Sequence, residues 1–376
     1  MNEHPGTVGI VGAGVMGRSI GLRAAQSRLD VRLYDSDSAT SQAAIDWIAA
    51  QLRADLPRPT PASSIRELSD CSTVIEAVVE NRAVKRRVLA NLSEIACHAL
   101  MATNTSSLSI GELAARVEQP ERFCGMHFCH PIAECPLVEI VPGPATTDGA
   151  LDRAESLVRS IHLQPLRTRD VPGFAVNRLL FPYLEAAIAL VRSGLEVDRI
   201  DHAAVDFGMR LGPLAQMDEI GIDVILRAAA AFHRGNPVVP PQSELLLAMF
   251  QAGRLGQKTG RGFYTYAADG GRRVDSAAME IANEHRLETI SATDSELQLR
   301  LFVPLFASAC ELIENRVVAE PSGVRSALIA GLGCTGQAAD LAGWARNVTV
   351  DVLRDWMQQF GIPAPAGDAV QCLIAE

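Results

Sequence analysis

Lysine is almost missing from this chain, Lys85 and Lys258 being the only two among 34 basic residues, so arginine carries the rest. The 44 acidic residues leave a net charge of −10, which argues against a general binder of nucleic acid or of anionic membranes. No apolar stretch reaches the ~18 residues that a membrane span needs. The opening "MNEHPGTVGIVGAG" lacks the basic segment, hydrophobic run and small-residue cleavage site of a signal peptide. The eight cysteines are scattered and include no CxxC pair, which fits free thiols in a reducing cytoplasm rather than a disulfide framework. What is present is length: 376 residues suffice for two or three domains with substantial cores.

The N-terminal segment "TVGIVGAGVMGRSIGLRAAQSRLDVRLYD" reads as strand, glycine turn, helix, strand and acid, in that order. Thr7–Val11 is apolar, and Gly12, Gly14 and Gly17 follow at GxGxxG spacing. The first glycine permits a tight turn, the second lets a pyrophosphate approach the backbone, and the third lets the helix pack on the strand. A helix is expected over Met16–Ala25, and Val15 and Met16 at its start belong to the expected cofactor site, where free N–H groups and the helix dipole favour anions. Asp35 ends the second strand, Val31–Tyr34, 18 residues beyond Gly17. An acid there accepts hydrogen bonds from ribose hydroxyls and repels a 2′-phosphate, so NAD is expected over NADP.

Further strands are expected at Thr73–Val79, Ala99–Thr103, Phe123–Phe128, Leu137–Val141 and Leu163–Arg167, with helices at Arg82–Ala96 and Asp148–His162. Such alternation predicts an α/β, Rossmann-type doubly wound sheet, mostly parallel, whose ligands bind beyond the carboxyl ends of its strands. Glu80, Ser106 and His127 all fall at or just after expected strand ends.

Residues 125–140, "GMHFCHPIAECPLVEI", concentrate reactive groups in an apolar run. His127, Cys129, His130 and Cys135 suggest metal ligands, but they lack paired CxxC or HxxxH spacing, and neighbouring strand residues point to opposite faces. No metal is therefore expected. Histidine is the side chain type suited to proton exchange near neutral pH, which makes His127 a candidate base, and Glu139 is an acid that is costly to bury unpaired in "PLVEIV". From the residues alone, a catalytic pair and a structurally satisfied histidine and glutamate both stay open.

Several segments together resemble the 3-hydroxyacyl-CoA dehydrogenase family: "GIVGAGVMG", "IEAVVENRAVKRRV", "TNTSSLSI", "RFCGMHF", "PLVEIV", "DVPGFAVNRLLFPYLEAAI", "GPLAQMDEIGID" and "GQKTGRGFYTY". They arrive in the family's order over roughly residues 7–266. The resemblance implies an NAD-dependent oxidoreductase of fatty acid metabolism that interconverts 3-hydroxyacyl and 3-oxoacyl thioesters. It implies that His127 is the base, Glu139 its carboxylate partner, Ser106 and Asn177 hydrogen-bond donors near the reacting centre, and Glu80 and Lys85 part of the cofactor region. His130 stands where the family commonly has an asparagine that contacts cofactor or substrate, and Cys129 replaces a usual aromatic. A non-catalytic NAD-binding sensor, and a dehydrogenase of free 3-hydroxy acids, are the competing readings.

After Val171–Pro172–Gly173 helical periodicity takes over. The resemblance implies all-α C-terminal domains here, of the 6-phosphogluconate-dehydrogenase-like helical type. "NRLLFPYLEAAIALVRSGLEVDRIDHAAVDFG" returns in degenerate form as "LRLFVPLFASACELIENRVVAEPSGVRSALIAGLG", aligning Arg178 with Arg300, Pro182 with Pro304, and Gly208 with Gly331 after a slip of one residue. The expected organisation is a nucleotide-binding domain over 1–171, a helical domain over 172–268, a connector over 269–294 within the polar stretch Ala267–Asp294 that contains "AADGGRR", and a second helical copy over 295–376. The second copy lacks the asparagine of "VNR" and reads as packing, taking the place of a dimer partner; a monomer is favoured, with a homodimer as the alternative. The segment between Asp35 and a strand expected near Ile65 has no lysine and only Arg53 and Arg58. That is sparse for the phosphates of CoA, so an acyl carrier protein is the alternative carrier, its acidic surface meeting Arg82, Arg86 and Arg87.

Overall fold

The computed structural model describes residues 6–233, 244–267 and 269–375. The first five residues and Ala268 of "AADGGRR" lie outside the described residues. The chain divides into two compact units, one ending at Phe174 and the other beginning at Ala175.

The first unit runs β1 (Val8–Val11), α1 (Val15–Gln26), β2 (Val31–Tyr34), α2 (Ser38–Ala49), β3 (Thr60–Pro61), β4 (Thr73–Glu76), α3 (Arg82–Ile95), β5 (Leu100–Thr103), α4 (Ile110–Ala114), β6 (Phe123–Phe128), β7 (Leu137–Pro142), α5 (Asp148–Ser160) and β8 (Gln164–Arg167). One eight-stranded sheet takes the order β3-β2-β1-β4-β5-β6-β7-β8. All neighbours are parallel except β6 and β7, which run antiparallel. The order reverses between β1 and β4, the switch point where open α/β sheets bind ligands. Residues on both faces of the central strands are buried, as a parallel sheet covered by helices requires.

Two expected strands need correction. The strand expected over Thr73–Val79 ends at Glu76, because the Val78 N–H turns to the Glu76 side chain (Oε1, 2.7 Å) instead of continuing the ladder. Glu80 thus lies four residues past the strand, on the following loop. The strand expected near Ile65 is instead at Thr60–Pro61, an edge position that tolerates a proline. Ile65–Leu68 is a 3₁₀ turn opened by Ser64, whose hydroxyl accepts the Arg66 N–H.

The second unit is helical except for one hairpin. It comprises α6 (Val176–Arg192), α7 (Val197–Phe207), α8 (Pro213–Ile220), α9 (Ile222–His233), α10 (Glu244–Gln251), the strands β9 (Tyr264–Tyr266) and β10 (Arg272–Val274), α11 (Ser276–Glu284), α12 (Asp294–Glu314), α13 (Pro321–Ser326), α14 (Gly336–Ala339), α15 (Leu341–Val348), α16 (Val350–Gln359) and α17 (Gly367–Ile374). Among the described residues no helix is long and apolar enough to cross a membrane.

The sequence repeat appears as α6 packed along α12, each with a proline inside it. Arg178 lies over the Phe232 ring at 5.6 Å, and its counterpart Arg300 lies over Phe360 at 5.3 Å. The glycine alignment shifts, however. Gly208 closes α7 in the left-handed conformation (φ +119°), whereas Gly331 is helical and Gly333 carries the positive φ, +69°. A π-helical turn over Ala327–Gly331 adds the residues that displace the cap. The connector is itself structured, holding β10 and the half-buried α11.

Two family-matching motifs serve this unit's architecture. Asp201 accepts the Leu214 and Ala215 N–H groups at the start of α8, and the Tyr264 hydroxyl at 2.8 Å. Asp218 accepts the Phe263 and Tyr264 N–H groups and the Tyr266 hydroxyl. A Cβ at Gly262 would sit 1.9 Å from the Asp218 carboxylate, so "GRGFYTY" needs its glycine for that close approach.

Candidate active site

The glycine turn is built as its spacing requires. Gly12 lies at φ +102°, and a Cβ there would meet the Ala77 carbonyl oxygen at 2.6 Å. A Cβ at Gly17 would come within 1.8 Å of the Gly12 carbonyl oxygen, so α1 closes mainly against the turn, with Ile10 of β1 next to it. Around Gly14 nothing lies within 4 Å, which leaves room for a bound group. The start of α1 has no side-chain cap and no acid in its first turn. Its first amides have no partner within the helix, which suits a pyrophosphate. Val15 is exposed there, and Met16 is partly buried against the core. Asp35 is tied to the same turn, its Oδ2 accepting the Ala13 N–H at 2.8 Å and its Oδ1 the Asp37 N–H at 3.1 Å. These residues fit a dinucleotide.

A buried ion network occupies the loops beyond β4 and β5. Glu76, wholly buried, accepts Lys85 Nζ at 2.8 Å through Oε1 and the Thr103 hydroxyl at 2.6 Å through Oε2. Lys85, 1 % exposed, also donates to the Val78 carbonyl and pairs with Glu80 at 3.4 Å. Glu80 in turn accepts the Thr105 hydroxyl, the Ser106 and Ser107 N–H groups and the Ser107 hydroxyl. Burial raises the Glu80 carboxyl, but Lys85 and these hydrogen bonds outweigh it and hold it below the usual carboxylate range. The loop is joined to the next strand by Asn104, which donates its N–H to the Glu76 carbonyl and accepts the Phe128 N–H at 2.9 Å.

His127 and Glu139 face each other across the antiparallel β6–β7 pair, in register. Their Nδ1 and Oε2 atoms are 2.7 Å apart; Glu139 is wholly buried, and His127 is 9 % exposed. Opposite an ionised carboxylate, which only accepts hydrogen bonds, Nδ1 would carry the proton and Nε2 would keep its lone pair. Phe174 flanks the imidazole at 5.9 Å between ring centroids. Cys129, two residues on, is buried with its N–H on the Leu137 carbonyl, and burial, with Glu139 adding to it, pushes its thiol well up. His127 and Cys129 thus share a face, as strand alternation predicts.

His130 is exposed just beyond β6. Asn177 sits in the first turn of α6, in the other unit. Within the first unit the fold gathers Glu80, Lys85 and Ser106 into one network and His127 with Glu139 into another. Sequence reasoning missed Glu76, Asn104 and Thr105. Glu76 had a visible signal, an acid inside the apolar "TVIEAVV", the same kind of signal that marked Glu139.

The glycine turn and the sheet order define a dinucleotide-binding fold, with a buried histidine–carboxylate pair between β6 and β7. The family model described as "3-hydroxyacyl-CoA dehydrogenase, NAD binding domain" matches residues 7–171, and that described as "3-hydroxyacyl-CoA dehydrogenase, C-terminal domain" matches residues 173–266. Among solved structures, the chain is similar to FadB2 of M. tuberculosis, with 35 % identity over 70 % of this chain and 100 % of that one, at a TM-score of 0.66. It is similar to (S)-3-hydroxybutyryl-CoA dehydrogenase PaaH1 of Ralstonia eutropha at 33 % identity, with the same coverages and a TM-score of 0.64. The 3-hydroxybutyryl-CoA dehydrogenase of Escherichia coli K12, 23 % identical, shares the fold across 100 % of this chain and 99 % of its own, at a TM-score of 0.82. This chain belongs to the 3-hydroxyacyl-CoA dehydrogenase family. It is an NAD-dependent oxidoreductase that acts on the CH–OH group of hydroxyacyl thioesters, which sets the sensor reading aside.

Proposed function

We propose that His127 is the base of this reaction and that Glu139 orients it. The observation that carries the reading is the buried 2.7 Å pair between Nδ1 and Oε2, which leaves Nε2 as the proton acceptor. In the oxidation, the C3 hydroxyl proton passes to Nε2 as the C3–H bond gives up its electron pair and the C–O bond becomes a carbonyl. Bound NAD supplies the acceptor for that hydride. The imidazolium formed is stabilised by Glu139, and in the reverse direction it returns the proton to the oxygen. Ser106 hydrogen-bonds the substrate near C3, and for Asn177 of the second unit the role stays the one that the family resemblance implies. The dinucleotide lies on Gly12, Gly14, Val15, Met16 and Gly17, with its ribose on Asp35, and Glu80 and His130 complete the cofactor region. Lys85 acts from behind Glu80. The test is NADH formation with a panel of 3-hydroxyacyl-CoA, carrier-protein thioesters and free hydroxy acids. Turnover of free acids alone would overturn the thioester reading.

A short-chain acyl-CoA is the first substrate reading, since one similar structure, 33 % identical, is a 3-hydroxybutyryl-CoA dehydrogenase. An acyl carrier protein is the second. Between Asp35 and β3 the basic residues are Arg53 and Arg58, and Arg53 is paired with Asp55. On α3, Arg82 pairs with Glu112, while Arg86 and Arg87 form no ion pair among the described residues. Few fixed cations thus await the phosphates of CoA, and two unpaired arginines await an acidic carrier. Comparing kcat/KM for one acyl group on CoA, on pantetheine and on a carrier protein decides between them. A clear preference for CoA over pantetheine removes the carrier reading.

A further inference from the structure

Cys129 leaves the chain on the same face as His127, and Glu139 reaches that face from β7. One ligand atom from each of the three residues lies within 4.8 Å of the other two, and all three side chains are buried. We propose that His127, Cys129 and Glu139 form an inhibitory site for a thiophilic divalent cation of the Zn²⁺ type, one that enters in place of catalysis rather than in support of it. Imidazole nitrogen, thiolate sulfur and carboxylate oxygen are zinc's own donor set. Bonds of about 2.0–2.3 Å in a tetrahedral site put the donors roughly 3–4 Å apart, a small adjustment from the present spread, with a fourth position left for water.

The paired-motif spacing that the sequence lacks is not required here, because the ligands come from two strands whose register brings them together. Selectivity follows from the thiol. Cys129 offers soft sulfur behind a thiol proton, and a hard cation prefers oxygen donors to sulfur, so it finds only two donors. A thiophilic ion displaces that proton on coordination.

Binding forms one bond each to sulfur, nitrogen and oxygen, releases one proton from the Cys129 sulfur, and transfers no electron. If the ion takes Nδ1, the proton there moves to Nε2; if it takes Nε2, that lone pair is used directly. Either route removes the lone pair assigned to the base. Inhibition therefore rests on the proposed role of His127, whereas metal binding does not.

The experiment uses the full chain with exposed Cys97 and Cys372 changed to serine, so that surface thiols contribute nothing. Titration with Co²⁺, without NAD, is followed by thiolate-to-cobalt charge-transfer absorption, and Zn²⁺ inhibition is measured separately and reversed with chelator. The expected result is a charge-transfer band that saturates at one ion per chain and is lost in Cys129→Ala and Cys129→Ser. The Zn²⁺ concentration for half-inhibition, referred to each variant's own metal-free rate, should rise about tenfold or more. Absence of the band, or its survival in both Cys129 variants, overturns the site. A Cys129-dependent band without inhibition upholds the site and overturns the role of His127 as base.

Discussion

His127 and Glu139 are directly opposite partners in the one antiparallel ladder of the main sheet, and their side chains meet at 2.7 Å. Directly opposed strand residues hold their Cβ atoms about 4.5–5.5 Å apart, close enough for an imidazole and a carboxylate to touch without strain. His127→Ala should lower kcat by a factor of about 10²–10⁴, the usual contribution of a positioned base, with NAD affinity little changed. Glu139→Gln should also lower kcat, because an amide holds the tautomer less well and does not stabilise the imidazolium. Steady-state kinetics beside a fluorescence titration of the cofactor checks both. Near-normal turnover in the His127 variant would end the assignment.

Asp35 is the residue expected to set cofactor choice. Asp35→Ala should weaken NAD binding and narrow the gap to NADP, since the acid that repels a 2′-phosphate is gone. The ratio of kcat/KM for the two cofactors measures this. A wild type that already prefers NADP contradicts it.

Glu76 and Lys85 are 0 % and 1 % exposed, so removing one charge strands the other. Glu76→Gln should cost about 3–5 kcal/mol of stability, the range for breaking a buried pair from one side. Urea unfolding gives the value. A loss below about 1 kcal/mol would show that Glu80 alone suffices to hold the lysine.

Asp218 carries a pH signature of its own. Burial outweighs its hydrogen bonds and pushes its carboxyl up to about 6. The folded form thus keeps a proton that the unfolded chain gives up near an ordinary value of about 3.9. Its stabilising contribution is present below the unfolded value and is lost as pH rises through about 6. Asp218→Asn, though less stable overall, should lose this slope between those two values. Unfolding free energies measured across that window test the sign.

The packing of α6 along α12 predicts a monomer in solution, with the second copy covering the face that a partner subunit would otherwise cover. Sedimentation at micromolar concentration should give a single species of one chain, 40.2 kDa. A dimer that survives dilution would contradict it.

By itself the sequence determined whatever depends on short spacing and local periodicity. The glycine turn was legible because Gly12, Gly14 and Gly17 act within six residues, and the β2 and β6 bounds match their apolar runs. The helix repeat was legible from Arg178 and Pro182 against Arg300 and Pro304, all within single helices. Tertiary structure decided what depends on register and on contacts between distant segments. Glu80 lies four residues past the strand, rather than next to its end, because Glu76 captured the Val78 N–H, and Glu76 is held there by Lys85 and Thr103 from α3 and β5. The left-handed cap of the second copy moved to Gly333 because a π-turn intervened, which no composition signals. Residues alone left His127 open between core and catalysis. The β6–β7 register closed the distance to Glu139 and brought Cys129 with it, because strand pairing fixes at once which side chains share a face and which meet across it.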